Sequence, residues 1–242
     1  MWVDIVMPAY NPGKEFVDAI RSCLNQSYKK YSIIVVDDHS SVDVKKLLWD
    51  FPSVKYIRND KNLGPAGARN VGIKESKAEY ISFLDADDIM HKDKLKVSMD
   101  MFSKDKDIGM VCGNYKVMMN RKKLSEPFYK KPIKISHALL MRQNFVASGS
   151  VTVKRSVLDD VGLFDETLWI AEDYDMWVRI SEKHNIEYLH KILYYYSVIP
   201  EGNSLTQRSD IQTDHILNIR KIKQASRERV AGLAGGNRDK QL

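Results

Sequence analysis

Four short apolar runs, at residues 3–7, 33–36, 54–57 and 80–84, follow one another along the first 84 residues, with helical patterns between them. Alternation of this kind is the signature of βαβ units and of a mostly parallel sheet. Residues 15–25 set Phe16, Ala19, Ile20, Cys23 and Leu24 at helical spacing, and residues 66–74 read as a helix opened by Gly64-Pro65. The second half is less regular. There, 148–153 and the tyrosine-rich 192–198 read as strands, 162–166 as a turn, and 172–182 as a helix with Met176, Trp177 and Ile180 on its apolar side. Residues 231–236, built of Ala, Gly and Leu, read as a flexible segment. No internal repeat is present.

A chain of 242 residues with 43% hydrophobic and 29% charged residues is an ordinary globular protein, neither disordered nor fibrous. Its expected organisation is one α/β domain over 1–207, with a donor-binding part at about 1–115 and an acceptor and base part at about 116–207. A basic helical and flexible tail follows over 208–242. Cys23 and Cys112 lack CxxC spacing, which argues against a disulfide framework or a zinc site and for a reducing, cytoplasmic setting. No stretch approaches the ~20 apolar residues of a membrane span, and the start does not read as a signal peptide.

The net charge of +6 is unevenly placed. Residues 116–134 carry +6 and residues 208–242 carry +4, so the remainder is −4. No nucleic-acid-binding motif accompanies the basic segments, and nucleic acid is not expected as a partner. Two readings of these segments stay open. One is a solvated loop and an ordinary surface helix. The other is peripheral contact with the inner face of an anionic membrane, through Lys122, Lys123, Lys130 and Lys131 and through Arg220, Lys221, Lys223, Arg227 and Arg229 beside Ile216, Leu217, Ile219 and Ile222.

The polar clusters follow strands. Pro8-Ala9-Tyr10-Asn11, Asp37-Asp38-His39-Ser40 and Asp85-Ala86-Asp87-Asp88 each come directly after an apolar run. Open parallel sheets bind ligands at the carboxyl ends of their strands, so three loops share one rim. Asp85 and Asp87, two apart in extended chain, can project to the same side and hold a hard cation; Mg²⁺ or Mn²⁺ held by so few carboxylates would share its coordination with a diphosphate. The plainer alternative is that Asp87 or Asp88 caps a helix beginning near Ile89 or His91. Asp37-Asp38 could accept hydrogen bonds from a base or ribose, or merely make a turn. Tyr10 could stack on a base or belong to the core. Arg69 could bind phosphate or pair with an Asp. Glu172-Asp173 open a helix, where acids are favoured whatever their chemistry. As a functional group Asp173 would be a general base, with Glu172 and Trp177 beside an acceptor pocket.

Taken together, Met7-Pro8-Ala9-Tyr10-Asn11, Val35-Val36-Asp37-Asp38-His39-Ser40, Asn62-Leu63-Gly64-Pro65-Ala66-Gly67-Ala68-Arg69-Asn70, Phe83-Leu84-Asp85-Ala86-Asp87-Asp88, Gly162-Leu163-Phe164-Asp165-Glu166 and Glu172-Asp173-Tyr174-Asp175-Met176-Trp177 resemble, in content and order, the family 2 inverting glycosyltransferases. The resemblance runs over residues 3–198. It implies a GT-A fold, a Rossmann-like, mostly parallel sheet flanked by helices. It also implies nucleotide contacts from Pro8, Tyr10, Asp38 and Arg69, a diphosphate-bound Mg²⁺ or Mn²⁺ at Asp85 and Asp87, and Asp173 as the base. The implied reaction moves a sugar from a nucleotide-sugar donor, most commonly a UDP-sugar in the family, to a saccharide or lipid-linked saccharide acceptor of the cell surface. His39 departs from the glycine common after the acidic pair, but histidine tolerates left-handed backbone better than most residues. Two rivals remain: a non-catalytic nucleotide-binding protein, and a glycoside hydrolase built on paired carboxylates. A dehydrogenase or P-loop enzyme is disfavoured, because GxGxxG and GxxxxGK[ST] are absent.

Overall fold

The computed structural model of the chain describes residues 1–120, 123–198 and 212–236. Its first half is a βαβ succession: β1 (Val3–Ala9), α1 (Glu15–Leu24), β2 (Tyr31–Asp37), α2 (Val44–Leu47), β3 (Val54–Arg58), α3 (Gly64–Glu75) and β4 (Tyr80–Phe83). Strands β3, β2, β1 and β4 lie side by side and parallel. Residues of β1 and β4 are buried almost throughout because helices cover both faces of the sheet, which is why these strands read as apolar runs. α1 buries Phe16, Ala19, Ile20 and Cys23 on one stripe. α3 presses on β1 through Gly72, where a Cβ would lie 2.4 Å from Val6 Cγ1; only glycine allows that approach.

The second half extends the sheet with mixed polarity. β5 (Ile89–Met90), α4 (Lys94–Lys104), β6 (Ile108–Met119), β7 (Lys123–Pro127), α5 (His137–Leu140), a 3₁₀ turn (Ser148–Ser150), β8 (Thr152–Lys154), α6 (Arg155–Val161), α7 (Glu172–Lys183), β9 (Asn185–Val198) and α8 (Gln212–Gly236) follow in order. The sheet runs β3-β2-β1-β4-β8-β6-β9-β5, with β7 on β6. β8 is antiparallel to both β4 and β6, whereas the long β6 and β9 are parallel to each other.

Several expectations are corrected. The region 148–153 is not one strand, since a 3₁₀ turn precedes β8. No helix begins at Ile89 or His91, because 89–90 pairs with β9 and α4 starts at Lys94, so Asp87 and Asp88 cap nothing there. Residues 116–134 are not a loop throughout: β6 and β7 form a hairpin, and Tyr115 stacks on Phe128 with ring centroids 4.6 Å apart. Arg121 and Lys122 lie outside the described residues. The 115/116 division between donor and acceptor parts falls inside β6, so both parts share one sheet. The 207/208 boundary lies outside the described residues. The tail is no short appendage. α8 has 25 residues, its backbone is helical through 231–236, and it docks on α7: Ser226 Oγ donates to Glu182 at 2.6 Å and Arg229 Nη2 donates at 2.8 Å.

Candidate active site

The loops after β1 and β2 are tied to each other before they meet any ligand. The Asp38 N–H donates to Ala9 O at 2.8 Å, the Asn11 N–H donates to Ser40 Oγ at 2.8 Å, and the Ser41 N–H donates to Asn11 Oδ1 at 2.7 Å. The turn needs positive φ at Asn11 (45°) and at His39 (65°), so the histidine occupies the left-handed conformation without glycine. Asp37 is fully buried. Burial opposes its charge, but hydrogen bonds from Ser40, Tyr56 and Arg58 prevail and hold its carboxyl below the usual range. Asp38 is also buried, and its Oδ1 accepts from Asn59 Nδ2 at 2.8 Å and from the Leu63 N–H at 2.9 Å. This acidic pair therefore braces the rim and fixes the entry to α3. Tyr10 is 56% exposed at the same rim and Pro8 is half-buried within β1.

Arg69, five residues into α3, joins two distant parts of the chain. It is buried, its Nη2 donates to Asp85 Oδ1 at 2.7 Å and its Nη1 donates to Glu172 Oε1 at 2.7 Å. Phe164 lies 5.7 Å away under the guanidinium. Of the two roles open to Arg69, pairing with an Asp is the one formed; both ends of its fork are engaged, and it fixes Asp85 against the start of α7. Glu172 is correspondingly not an open acceptor group. Burial pushes its carboxyl up to about 7 against the opposing pull of Arg69. Trp177 is corrected outright: it is fully buried, with Phe83 and Phe164 at 6.3 and 6.1 Å, because the apolar stripe of α7 faces the core. It is a core side chain and offers no exposed surface to an acceptor.

Three acids open α7, and their partners separate them. Glu172 is paired with Arg69, and Asp175 with Arg179 at 2.7 Å, whose guanidinium also serves the carbonyls of Val161, Gly162 and Leu163. Asp173 is held by uncharged groups instead: Ser148 Oγ donates to its Oδ2 at 3.0 Å and the Tyr174 N–H donates to its Oδ1 at 2.6 Å. Burial raises its carboxyl above the ordinary value, with the charge of nearby Arg69 pulling the other way. A carboxylate of raised basicity that has no salt-bridge partner among the described residues is suited to act as a general base. Ala171, at φ 66°, turns the chain sharply into this helix.

Across from it, Asp85 and Asp87 are half-exposed at the end of β4 while Asp88 is buried, accepting from the Ser197 N–H at 2.8 Å. Burial, with Asp87 and Asp85 beside it, pushes the Asp88 carboxyl well above the usual range. Among the described residues no group of three or more His, Cys, Asp or Glu side chains gathers as a self-sufficient metal site. Two accessible carboxylates suit a hard cation that takes its remaining oxygen ligands from a diphosphate.

Residues 4–162 match the family described as Glycosyl transferase family 2. The chain belongs to that family. A relative, the UDP-Glc:alpha-D-GlcNAc-diphosphoundecaprenol beta-1,3-glucosyltransferase WfgD of Escherichia coli, is 31% identical over 186 residues, covering 76% of this chain and 71% of the relative. Among solved structures, residues 1–349 of S. aureus TarS in complex with UDP-GlcNAc superpose with a TM-score of 0.78 at 20% identity, over 93% of this glycosyltransferase and 66% of that chain. The mannosyltransferase PcManGT from Pyrobaculum calidifontis, in complex with GDP-Man and Mn²⁺, gives 0.66 at 18% identity, over 83% and 58%. This glycosyltransferase thus spans about two thirds of the length of these relatives, and 32% of some others. The GT-A fold expected from the motifs is the fold observed, and membership of a transferase family removes the glycoside hydrolase reading.

Sequence reasoning missed Ser148, read as the start of a strand, and Lys94, a residue type that is nearly always exposed. Neither carries a local signal; both acquire their places through tertiary contacts.

Proposed function

We propose that this glycosyltransferase transfers a sugar from a UDP-sugar to a hydroxyl of a lipid-linked saccharide, in the synthesis of a cell-surface polysaccharide or glycolipid, with inversion at the anomeric carbon. The observation that carries the mechanism is the separation of the three acids at the start of α7, which leaves Asp173 as the one of the three without a cationic partner in contact among the described residues. In the reaction the acceptor oxygen attacks the anomeric carbon, its proton passes to Asp173, and the bond from that carbon to the diphosphate oxygen breaks as the nucleoside diphosphate departs. Ser148 holds the carboxylate in place, and Arg69 fixes Asp85 relative to α7. Asp85 and Asp87 would hold Mg²⁺ or Mn²⁺, which when bound stabilises negative charge on the leaving phosphate. Tyr10, exposed at the rim, would stack on the base, with Pro8 and Asp38 beside it on the same rim. UDP is favoured because the E. coli relative is named for UDP-Glc and the TarS structure holds UDP-GlcNAc.

A thermal-shift series tests the donor. UDP with Mn²⁺ should raise Tm, whereas GDP with Mn²⁺ should not, because a ligand stabilises only the fold that binds it. Equal shifts with both nucleotides, or none with either, would remove the UDP assignment.

A lipid-linked acceptor, drawn from the name of the E. coli relative, calls for contact with a membrane surface. No helix of the described residues is long and apolar enough to cross a membrane. α8 exposes Ile216 and Leu217 together with Arg220, Lys221 and Arg227, and the β7 side exposes Leu124 and Phe128. We therefore place the enzyme at the cytoplasmic face of the membrane as a peripheral protein. Flotation with anionic vesicles at low salt should decline as salt rises, and should weaken when Arg220, Lys221 and Arg227 are replaced by Gln, each basic residue contributing on the order of 1 kcal/mol. Absence of flotation at low ionic strength would make a soluble acceptor the better reading.

A further inference from the structure

We infer that Lys94 is a positioning residue for the transfer, an ammonium clamp between the strand end that carries the cation-binding acids and the turn that holds the base. The inference rests on the roles proposed above for Asp85, Asp87 and Asp173.

Lys94 is the first residue of α4 and is fully buried. Its Nζ donates to Phe83 O at 2.7 Å and to Gly149 O at 2.8 Å. These two carbonyls sit where the sheet opens. The β4–β8 ladder ends at Ser82↔Thr152, and one further bond runs from the Phe83 N–H to Val151 O at 3.3 Å. Beyond it the two chains diverge. One runs from Phe83 to Asp85 and Asp87; the other, read backwards from Gly149, reaches Ser148, whose hydroxyl holds Asp173 Oδ2. Where the next rung would be, each side offers an acceptor, and buried backbone carbonyls demand donors. The lysine ammonium supplies both hydrogen bonds from one atom.

The turn cannot relax away from this clamp, because Gly149 is pressed under Tyr194: a Cβ there would lie 2.6 Å from the ring. Burial works against a charge at this place and draws the Lys94 ammonium down to about 7, while the negative charges of Cys23, Asp85 and Asp88, where ionised, oppose that shift. An ordinary core position would be filled more stably by Leu or Met. Lysine at this junction is accounted for by what it joins: cation loop and base turn are held at one spacing through a single nitrogen. A displacement on the order of 1 Å between reacting groups is enough to cost about a hundredfold in rate.

The test compares Lys94→Met, which keeps the stem and removes both donors, with Phe102→Leu, a buried change on the same helix away from the site. Three readouts are taken well below both melting temperatures: kcat, donor KM, and Mn²⁺ affinity of the UDP complex measured by calorimetry. For Lys94→Met we expect kcat to fall about 10- to 100-fold and Mn²⁺ affinity to fall about tenfold or more, while Phe102→Leu keeps both near the parent values despite its lower Tm. If the two variants have the same kcat and Mn²⁺ affinity, Lys94 is structural only and the inference is overturned. Should Lys94→Met fail to fold, Lys94→Gln, which retains a donor without the charge, carries the same comparison under the same criteria. Asp173→Asn, assayed alongside, keeps the two failures apart. Normal turnover in Asp173→Asn refutes the site reading itself, whereas its inactivity beside an unaffected Lys94→Met refutes the clamp alone.

Discussion

Asp173→Asn should lower kcat by roughly two to four orders of magnitude, the range in which a lost general base falls, while leaving donor affinity nearly unchanged. The substitution is close to isosteric. Asparagine can keep both contacts if its amide oxygen accepts from the Tyr174 N–H and its NH2 donates to Ser148 Oγ, since a hydroxyl also accepts, so the turn before β8 keeps its anchor. What disappears is basicity. The neighbouring acids make poorer controls because each is bound to a buried or half-buried arginine; breaking such a pair from one side costs about 3–5 kcal/mol, and lost activity in Glu172→Gln would report on Arg69 stranded without its partner. Asp175→Asn is the cleaner comparison, with kcat expected near the parent value in whatever fraction remains folded. Turnover that survives Asp173→Asn but fails in folded Asp175→Asn would reassign the base.

The pH profile offers an independent check on the same residue. Burial raises the Asp173 carboxyl above 3.8, so its deprotonated, active form is lost as pH falls at higher pH than an exposed aspartate would require. Glu172 lies next to it with a carboxyl near 7, and Arg69 is within electrostatic reach of both. The acid limb of kcat/KM therefore belongs to the pair and should lie above the ordinary carboxylate range. An acid limb at ordinary carboxylate values would contradict the buried base.

The parts of this architecture that could be read from sequence are those where burial is continuous. β1, β2 and β4 are covered on both faces, so their strands appear as mostly apolar runs, broken within them only by Asp4, Ser32 and Ser82, and the acidic loops at their ends follow at once. β6 and β9 were harder because each leaves the covered region along its length. β6 is buried from Ile108 to Asn114 and only half-buried beyond, and β9 carries His190 and Lys191 in its exposed middle. The site divides in the same way. Asp85, Asp87 and Asp173 announce themselves through position after a strand or at a helix start. Whether Asp85 and Glu172 are open or committed is not legible in the sequence, since both pair with one arginine, Arg69, 16 and 103 residues away. Trp177 shows the converse error: helical spacing placed it on the face of Asp173, but the core side of α7 claims it.

Replacement of Asp87 by Ala should lower transfer by roughly two to four orders of magnitude while the protein stays folded. Asp87 and Asp85 stand half-exposed just beyond β4, where a cation shared with diphosphate would draw on both carboxylates, and Asp87→Ala removes one of them without cutting the Arg69–Asp85 pair. Lewis-acid stabilisation of a leaving phosphate is worth several kcal/mol, and each 1.36 kcal/mol is tenfold, which puts the expected fall at roughly two to four orders of magnitude. Asp88 provides the contrast, but not as alanine: its carboxylate accepts the Ser197 N–H inside the sheet, and truncation would leave that buried donor unsatisfied. Asp88→Asn keeps the acceptor, so its activity should remain within about tenfold of the parent, a loss of at most ~1.4 kcal/mol. The binding readout is separate from turnover: the extra Tm that Mn²⁺ adds to the UDP complex should vanish in Asp87→Ala and persist in Asp88→Asn. Full activity in the presence of a chelator, or in Asp87→Ala, would take the metal out of the mechanism and leave the charge on the departing diphosphate to be met by protein groups alone.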